Sequence, residues 1–260
     1  MGPGKVYLVG AGPGAPDLLT LRAAELLRRA DVVFHDALVH PDTIALAAKA
    51  ERVAVGKRCG RHSTAQRFIN KRLVDAAMKH AVVVRLKGGD PMLFGRAHEE
   101  ISALREAGIA FEVVPGVTAA LAASAELGVS LTRRGLARSV AFLTPRVGAG
   151  EKPNDWARAA ASADTAVIYM GVGEAAAITA SLVECGVAPS TPVVVVENAS
   201  LPGRQRFAMT LRDLPGVAVA VRGIAGPAVI LLGEVYSELQ EEAATPVAEV
   251  RRAWPRRVRT

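Results

Sequence analysis

Short apolar runs rich in valine, three to five residues long, recur along the first half of the chain, and the first of them leads into the glycines of VGAGPG (9–14). They predict strands at Val6–Val9, Val32–Phe34, Arg52–Val55, Val82–Leu86 and Phe111–Val114. Between them the period changes. Leu19, Ala23, Leu26, Leu27 and Ala30 fall at helical spacing and predict a helix over 18–30, and residues 64–79 and 95–107 are helical in composition. Strand and helix in alternation imply a mostly parallel sheet covered by helices.

A second series predicts strands at Val140–Leu143, Ala166–Tyr169, Pro192–Glu197, Arg206–Thr210 and Ala228–Leu232, with helices near 155–162 and 174–185. Here NASLPGRQ (198–205) joins two strands without a helix, so a hairpin and a mixed sheet are expected. The expected fold class is α/β with two α/β domains, residues 1–132 and 133–240, followed by a basic, disordered tail at 241–260. A cleft between the domains, at the carboxyl ends of the strands, is the expected site.

Composition narrows the partners. Half of the 260 residues are apolar, enough for a substantial core. No apolar run approaches the roughly 20 residues that span a bilayer, and Met1–Lys5 leads directly into a strand without a basic and then apolar leader. The expectation is a cytoplasmic protein with no membrane partner. A formal charge of +7 favours anionic ligands, although five of the arginines lie in the last ten residues. Aromatic residues make up 4% and do not interleave with basic ones, which counts against a nucleic-acid surface. Cys59 and Cys185 have no neighbours at metal spacing and are expected as free thiols, with no metal site.

VGAGPGAPD (9–17) matches a dinucleotide fingerprint, and Asp36 stands where that fingerprint places its ribose-binding acid. The loop works by pointing backbone N–H groups at a pyrophosphate. Pro13 and Pro16 have no N–H, and Asp17, read as an N-cap, would put a carboxylate where the anion belongs. Dinucleotide binding is therefore not expected. What survives is the steric half of the motif, in which glycines admit a ligand close to the backbone.

Other strand ends carry chemistry too. In LKGGDPMLFGR (86–96), Gly88 and Gly89 permit close approach, and Asp90 offers either a carboxylate or an ordinary helix cap before Pro91. Thr118 in VPGVTAA can cap the next helix. FHDALV ends a strand on His35 and Asp36, and VGKRCGRHS (55–63) clusters Lys57, Arg58, Arg61 and His62. An acid in one loop and a basic cluster in another can place a proton acceptor and anion-binding groups in one cleft; a solvated basic turn is the plain alternative.

In this order and spacing, VGAGPGAPDLLT, FHDALV, VGKRCGRHS, RLKGGDPMLFGR, FEVVPGVTAA, VIYMG and GPAVILLGEV resemble the tetrapyrrole methylase family, on its uroporphyrinogen-III C-methyltransferase branch. The likeness runs from Lys5 to about Val235. It implies a two-domain homodimer that binds S-adenosylmethionine between its domains, releases S-adenosylhomocysteine, and methylates a small-molecule tetrapyrrole at two positions to give precorrin-2, for siroheme or cobalamin. By motif position its cofactor contacts fall on Pro13, Gly88, Gly89, Asp90, Leu93, Thr118, Ala119, Met170, Ala199, Pro227 and Ala228. The proton acceptor falls on Asp36 and the proton donor on Lys57.

The carboxylate rim of such a substrate gives Arg58, Arg61, His62, Arg133, Arg134 and Arg138 anions to hold, with arginines expected at the cleft mouth and away from the sulfonium. Departures from the family's commoner wording are His35 before Asp36, Ala37 after it, Thr144-Pro145-Arg146, and RRGLARS (133–139). All lie on the expected substrate side. A chain that starts on the methylase strand is expected to be the monofunctional form. The alternatives are a methylase of a later corrin precursor such as precorrin-4, and a non-catalytic adenosyl- or tetrapyrrole-binding protein.

Overall fold

A computed structural model describes residues 2–55, 64–148, 150, 152, 154–220 and 226–244. Its first half runs β1 (Lys5–Gly10), α1 (Leu21–Arg29), β2 (Val32–His35), α2 (Pro41–Ala45), β3 (Glu51–Ala54), α3 (Thr64–Ala77), β4 (Val82–Lys87), α4 (Ala97–Glu106) and β5 (Phe111–Val114). All five strands are parallel, in the order β3-β2-β4-β1-β5. Side chains alternate across the sheet, so Val6, Leu8 and Val83 pack with Leu73 of α3 and Ile101 and Leu104 of α4, whereas Val9, Val33 and Val84 pack with Leu26 and Leu27 of α1. The chain leaves β1 toward β2 and leaves neighbouring β4 toward β5, in opposite directions. Such a reversal opens a crevice at the carboxyl ends of the two strands.

The second half follows α5 (Ala119–Leu127) with β6 (Val140–Leu143), α6 (Trp156–Ser162), β7 (Thr165–Tyr169), α7 (Ala175–Glu184), β8 (Pro192–Glu197), β9 (Gln205–Thr210), α8 (Leu214–Ala220), β10 (Ala228–Leu232) and α9 (Ser237–Ala244). The order is β6-β7-β10-β8-β9; β6 and β7 are parallel, β10 runs antiparallel to both its neighbours, and β8 with β9 forms the expected hairpin. This sheet is mixed and the first is not. Its faces are covered by α6, α7 and α8 on one side and by α5 on the other.

Local details depart from the sequence reading. Asp17 is not an N-cap: Pro16–Leu18 is a single 3-10 turn, and α1 begins after Thr20, whose hydroxyl accepts the Ala23 N–H at 3.1 Å. The two prolines make the chain turn once more before a helix can start. Asp90 caps a turn and not a helix, since α4 starts only at Ala97. The five-residue α2 is too short to show a helical period; His40 caps it, with Pro41 at its first position. The helix α9 continues to Ala244, past residue 240. Among the described residues no helix is long and apolar enough to cross a membrane.

Candidate active site

The loops after β1, β4 and β5 meet over the end of the first sheet. Gly12 and Gly89 exchange backbone hydrogen bonds, Gly12 N–H to Gly89 O at 3.2 Å and Gly89 N–H to Gly12 O at 2.7 Å. A Cβ on Gly116 would lie 2.3 Å from Gly89 O and 2.9 Å from Gly10 Cα, so these glycines serve the approach of strand to strand. Gly88 differs. It is exposed, and a Cβ there would meet only the Cβ of Leu38, at 3.8 Å. Asp90 stitches two loops together, its Oδ1 accepting Met92 N–H at 2.8 Å and its Oδ2 accepting Gly116 N–H at 2.9 Å.

The end of the second sheet faces these loops. Tyr169, at the carboxyl end of β7, shares a hydrogen bond with Thr118 Oγ1 at 2.6 Å and accepts the Ala120 N–H at 3.2 Å. Phe94 of the first-sheet turn lies 5.2 Å from its ring and Phe142 6.3 Å. Burial raises the Tyr169 phenol's pKa against the lowering effect of those two hydrogen bonds. Ser200 Oγ accepts Ala15 N–H at 2.9 Å, and a Cβ on Gly14 would strike Leu201. Asn198 N–H donates to Pro227 O at 2.9 Å, and Ala228 pairs with Glu197.

These contacts join the loops after β1, β4 and β5 to the ends of β7, β8 and β10, the loops and strand ends on which the expected cofactor positions lie. Among the described residues, the non-glycine positions with left-handed backbone are Phe94, Arg96, Met170, Asn198 and Ser200, with φ from 52° to 71°. All belong to the loops that follow β4, β7 and β8. Concentrated backbone strain of this kind accompanies functional sites.

Asp36 lies just beyond β2, and its Oδ1 pairs at 2.5 Å with Nη2 of Arg85, a β4 residue. Arg85 Nε reaches Glu100 Oε1 at 2.9 Å, and Lys87 Nζ reaches both Glu100 oxygens, at 3.0 and 2.9 Å. Burial, with repulsion from Arg85 behind it, lowers the Lys87 pKa despite Glu100. Burial acts the same way on Arg85, but Asp36 and Glu100 outweigh it and hold the guanidinium charged. Sequence reading missed Arg85, Lys87 and Glu100. The available signal was two cations inside the apolar strand VVVRLK, which cannot be buried without an acid nearby.

Lys57, Arg58, Arg61 and His62, with Cys59, lie outside the described residues. The remaining substrate candidates are not gathered at the rim. Arg133 pairs with Glu238 of α9 at 2.8 Å, and Arg134 sits in the same exposed bend. Arg138 lies at the amino end of β6, where its N–H donates to Asp164, and the strand's length, about 13 Å, separates it from the cleft end. A surface hollow of about 400 Å³ lined by Glu126, Val196, Pro202, Arg204 and Arg206 contains none of the expected site residues.

Two α/β sheets joined at their glycine-rich strand-end loops define the class of protein. Residues 5–215 match the family model of the tetrapyrrole (corrin/porphyrin) methylases, and the chain belongs to that family. A siroheme synthase from Chromobacterium violaceum is 49% identical over 233 residues, 89% of this chain and 49% of that protein. The chain thus spans about half the length of the curated relatives it matches. The crystal structure of a uroporphyrin-III C-methyl transferase from Thermus thermophilus complexed with S-adenosylhomocysteine is 43% identical, with a TM-score of 0.78, covering 90% of this chain and all of that one. A cobalt precorrin-4 methyltransferase structure is 32% identical with a TM-score of 0.74, covering 89% of this chain and 95% of that one.

Proposed function

We propose that this chain is an S-adenosylmethionine-dependent methyltransferase that adds two methyl groups to uroporphyrinogen III, giving precorrin-2. The observation that carries this is the cleft itself. Loops of both sheets that carry the family's cofactor motifs meet there through Gly12, Gly89, Thr118, Tyr169 and Ser200, which supports the reading. The residues fit an adenosyl ligand: Gly88 leaves open space, the contacts are small residues or backbone, and Phe94, Phe142 and Met170 expose apolar surface beside Tyr169. Greater identity to the uroporphyrin-III enzyme than to the precorrin-4 enzyme supports the earlier substrate.

S-adenosylmethionine supplies a methyl group on a positively charged sulfur, open to attack by an electron-rich pyrrole carbon. The rim residues align donor and acceptor, and exclude water from the reacting face. Asp36 holds a carboxylate ready to take the proton that the alkylated macrocycle loses, and Lys57 is the proposed donor. Arg58, Arg61 and His62 are proposed to hold the acetate and propionate arms. Family resemblance supports a homodimer.

The test is to incubate the full chain with S-adenosylmethionine and enzymatically made uroporphyrinogen III, then weigh the tetrapyrrole. Gain of two methyl masses is expected. No gain with this substrate, but gain with a later precursor, overturns the substrate assignment.

A further inference from the structure

Beneath the cleft lies a buried ionic cluster that alignment of donor and acceptor does not by itself call for. Arg85, Lys87 and Glu100 are 2%, 2% and 0% exposed, and charges so placed are costly unless each is paired and hydrogen-bonded. Here they are. Glu100 Oε1 accepts from Arg85 Nε at 2.9 Å, Lys87 Nζ at 3.0 Å and Gln66 Nε2 at 3.2 Å, and its Oε2 accepts from Lys87 at 2.9 Å. Arg85 Nη1 donates to the carbonyls of Phe34, at 3.4 Å, and Leu86, at 3.2 Å. Buried side chains and strand backbone therefore fix the guanidinium. Its remaining arm, Nη2, leaves the core and meets Asp36 Oδ1.

We propose that Arg85, locked by Glu100, is the positioning residue for Asp36: it engages Oδ1 and leaves Oδ2 as the oxygen that takes the proton. This rests on the reading of Asp36 as the proton acceptor. The Asp36 side chain is 30% exposed and sits just past a strand end, and the contact it makes with a buried group is to Arg85. The buried pair fixes it before the substrate arrives. Only a planar fork reaches Glu100, two carbonyls and Asp36 at once, which a lysine ammonium cannot do.

A double-mutant cycle on the full chain tests it, with kcat, KM and the S-adenosylhomocysteine Kd measured for Arg85→Met, Asp36→Asn and the pair. Arg85→Met is expected to lower kcat by about 100-fold while KM and Kd stay within about twofold, and to add no further loss in the Asp36→Asn background. A kcat within about threefold of wild type, or a loss additive with Asp36→Asn, overturns the proposal. If Arg85→Met does not fold, as judged by circular dichroism, Arg85→Lys replaces it: the charge stays, the fork is lost, and kcat falls by about tenfold under the same non-additivity criterion. Full turnover by Asp36→Asn alone overturns the reading of Asp36 and this inference with it. Loss in Asp36→Asn alongside an independent Arg85 effect overturns only the inference.

Discussion

Tyr169 is where the two sheets meet at one hydroxyl. It holds Thr118 Oγ1 and the first-turn Ala120 N–H of α5, groups beside two of the proposed cofactor contacts. Tyr169→Phe keeps the ring against Phe94 and leaves those partners without it. An unmade buried hydrogen bond costs about 1–2 kcal/mol, so S-adenosylhomocysteine should bind about 5–30-fold more weakly, measurable by titration calorimetry. Unchanged affinity would remove Thr118 from the cofactor side of the cleft. Asp36 was legible from sequence because a polar residue ending an apolar strand stands out. Its partner was not: Arg85 lies inside an apolar strand and Glu100 on a helix 15 residues later, and only the folded sheet brings the three together.

At the scale of elements, apolar runs placed the central strands well because these are buried on two faces and their valines leave no other reading. Caps were harder. Asp17 lost to Thr20 because the prolines delayed the helix, and the role of Asp164 was invisible because its partners lie a strand and a helix earlier. Asp164 Oδ2 accepts the Arg138 N–H at 2.8 Å, the Ser139 N–H at 2.9 Å and the Ser139 hydroxyl at 2.8 Å, tying the start of β6 to the start of β7. The Arg138 N–H, then the other two bonds, lower its pKa below the ordinary carboxylate value. A carboxyl lowered on folding stabilises fully above its unfolded pKa and stops doing so as pH falls through the folded value. Asp164→Ala should therefore lower the urea midpoint at pH 7, with the gap from wild type closing below about pH 4. An equal gap at pH 3 and pH 7 would show that the ionised carboxylate is not what matters there.

Across the whole molecule, α5 decides whether the halves are independent. Counted by sequence it belongs with the first sheet, but Ala120, Ala123 and Leu127 are buried with Val167, Val196, Val229 and Leu231 of the second. Glu126 of the same helix accepts Ser200 N–H at 2.8 Å, and Ala15 N–H reaches Ser200 from the other side. Damage to the first sheet should therefore be felt in the second. Gly116→Ala is suited to this, because its Cβ would meet backbone of Gly89 and Gly10, which cannot rotate away, at a cost of about 1–3 kcal/mol. The reporter is Trp156, packed against the second sheet's core on its far face, with Trp254→Phe removing the other tryptophan. If the halves unfold as one, Gly116→Ala lowers the Trp156 fluorescence midpoint by as much as the far-ultraviolet circular dichroism midpoint. Saturating S-adenosylhomocysteine, if held from both halves as proposed, should then raise both midpoints together. A Trp156 transition that stays in place while part of the dichroism signal melts early would show two separately stable domains, with α5 a linker and not a shared wall.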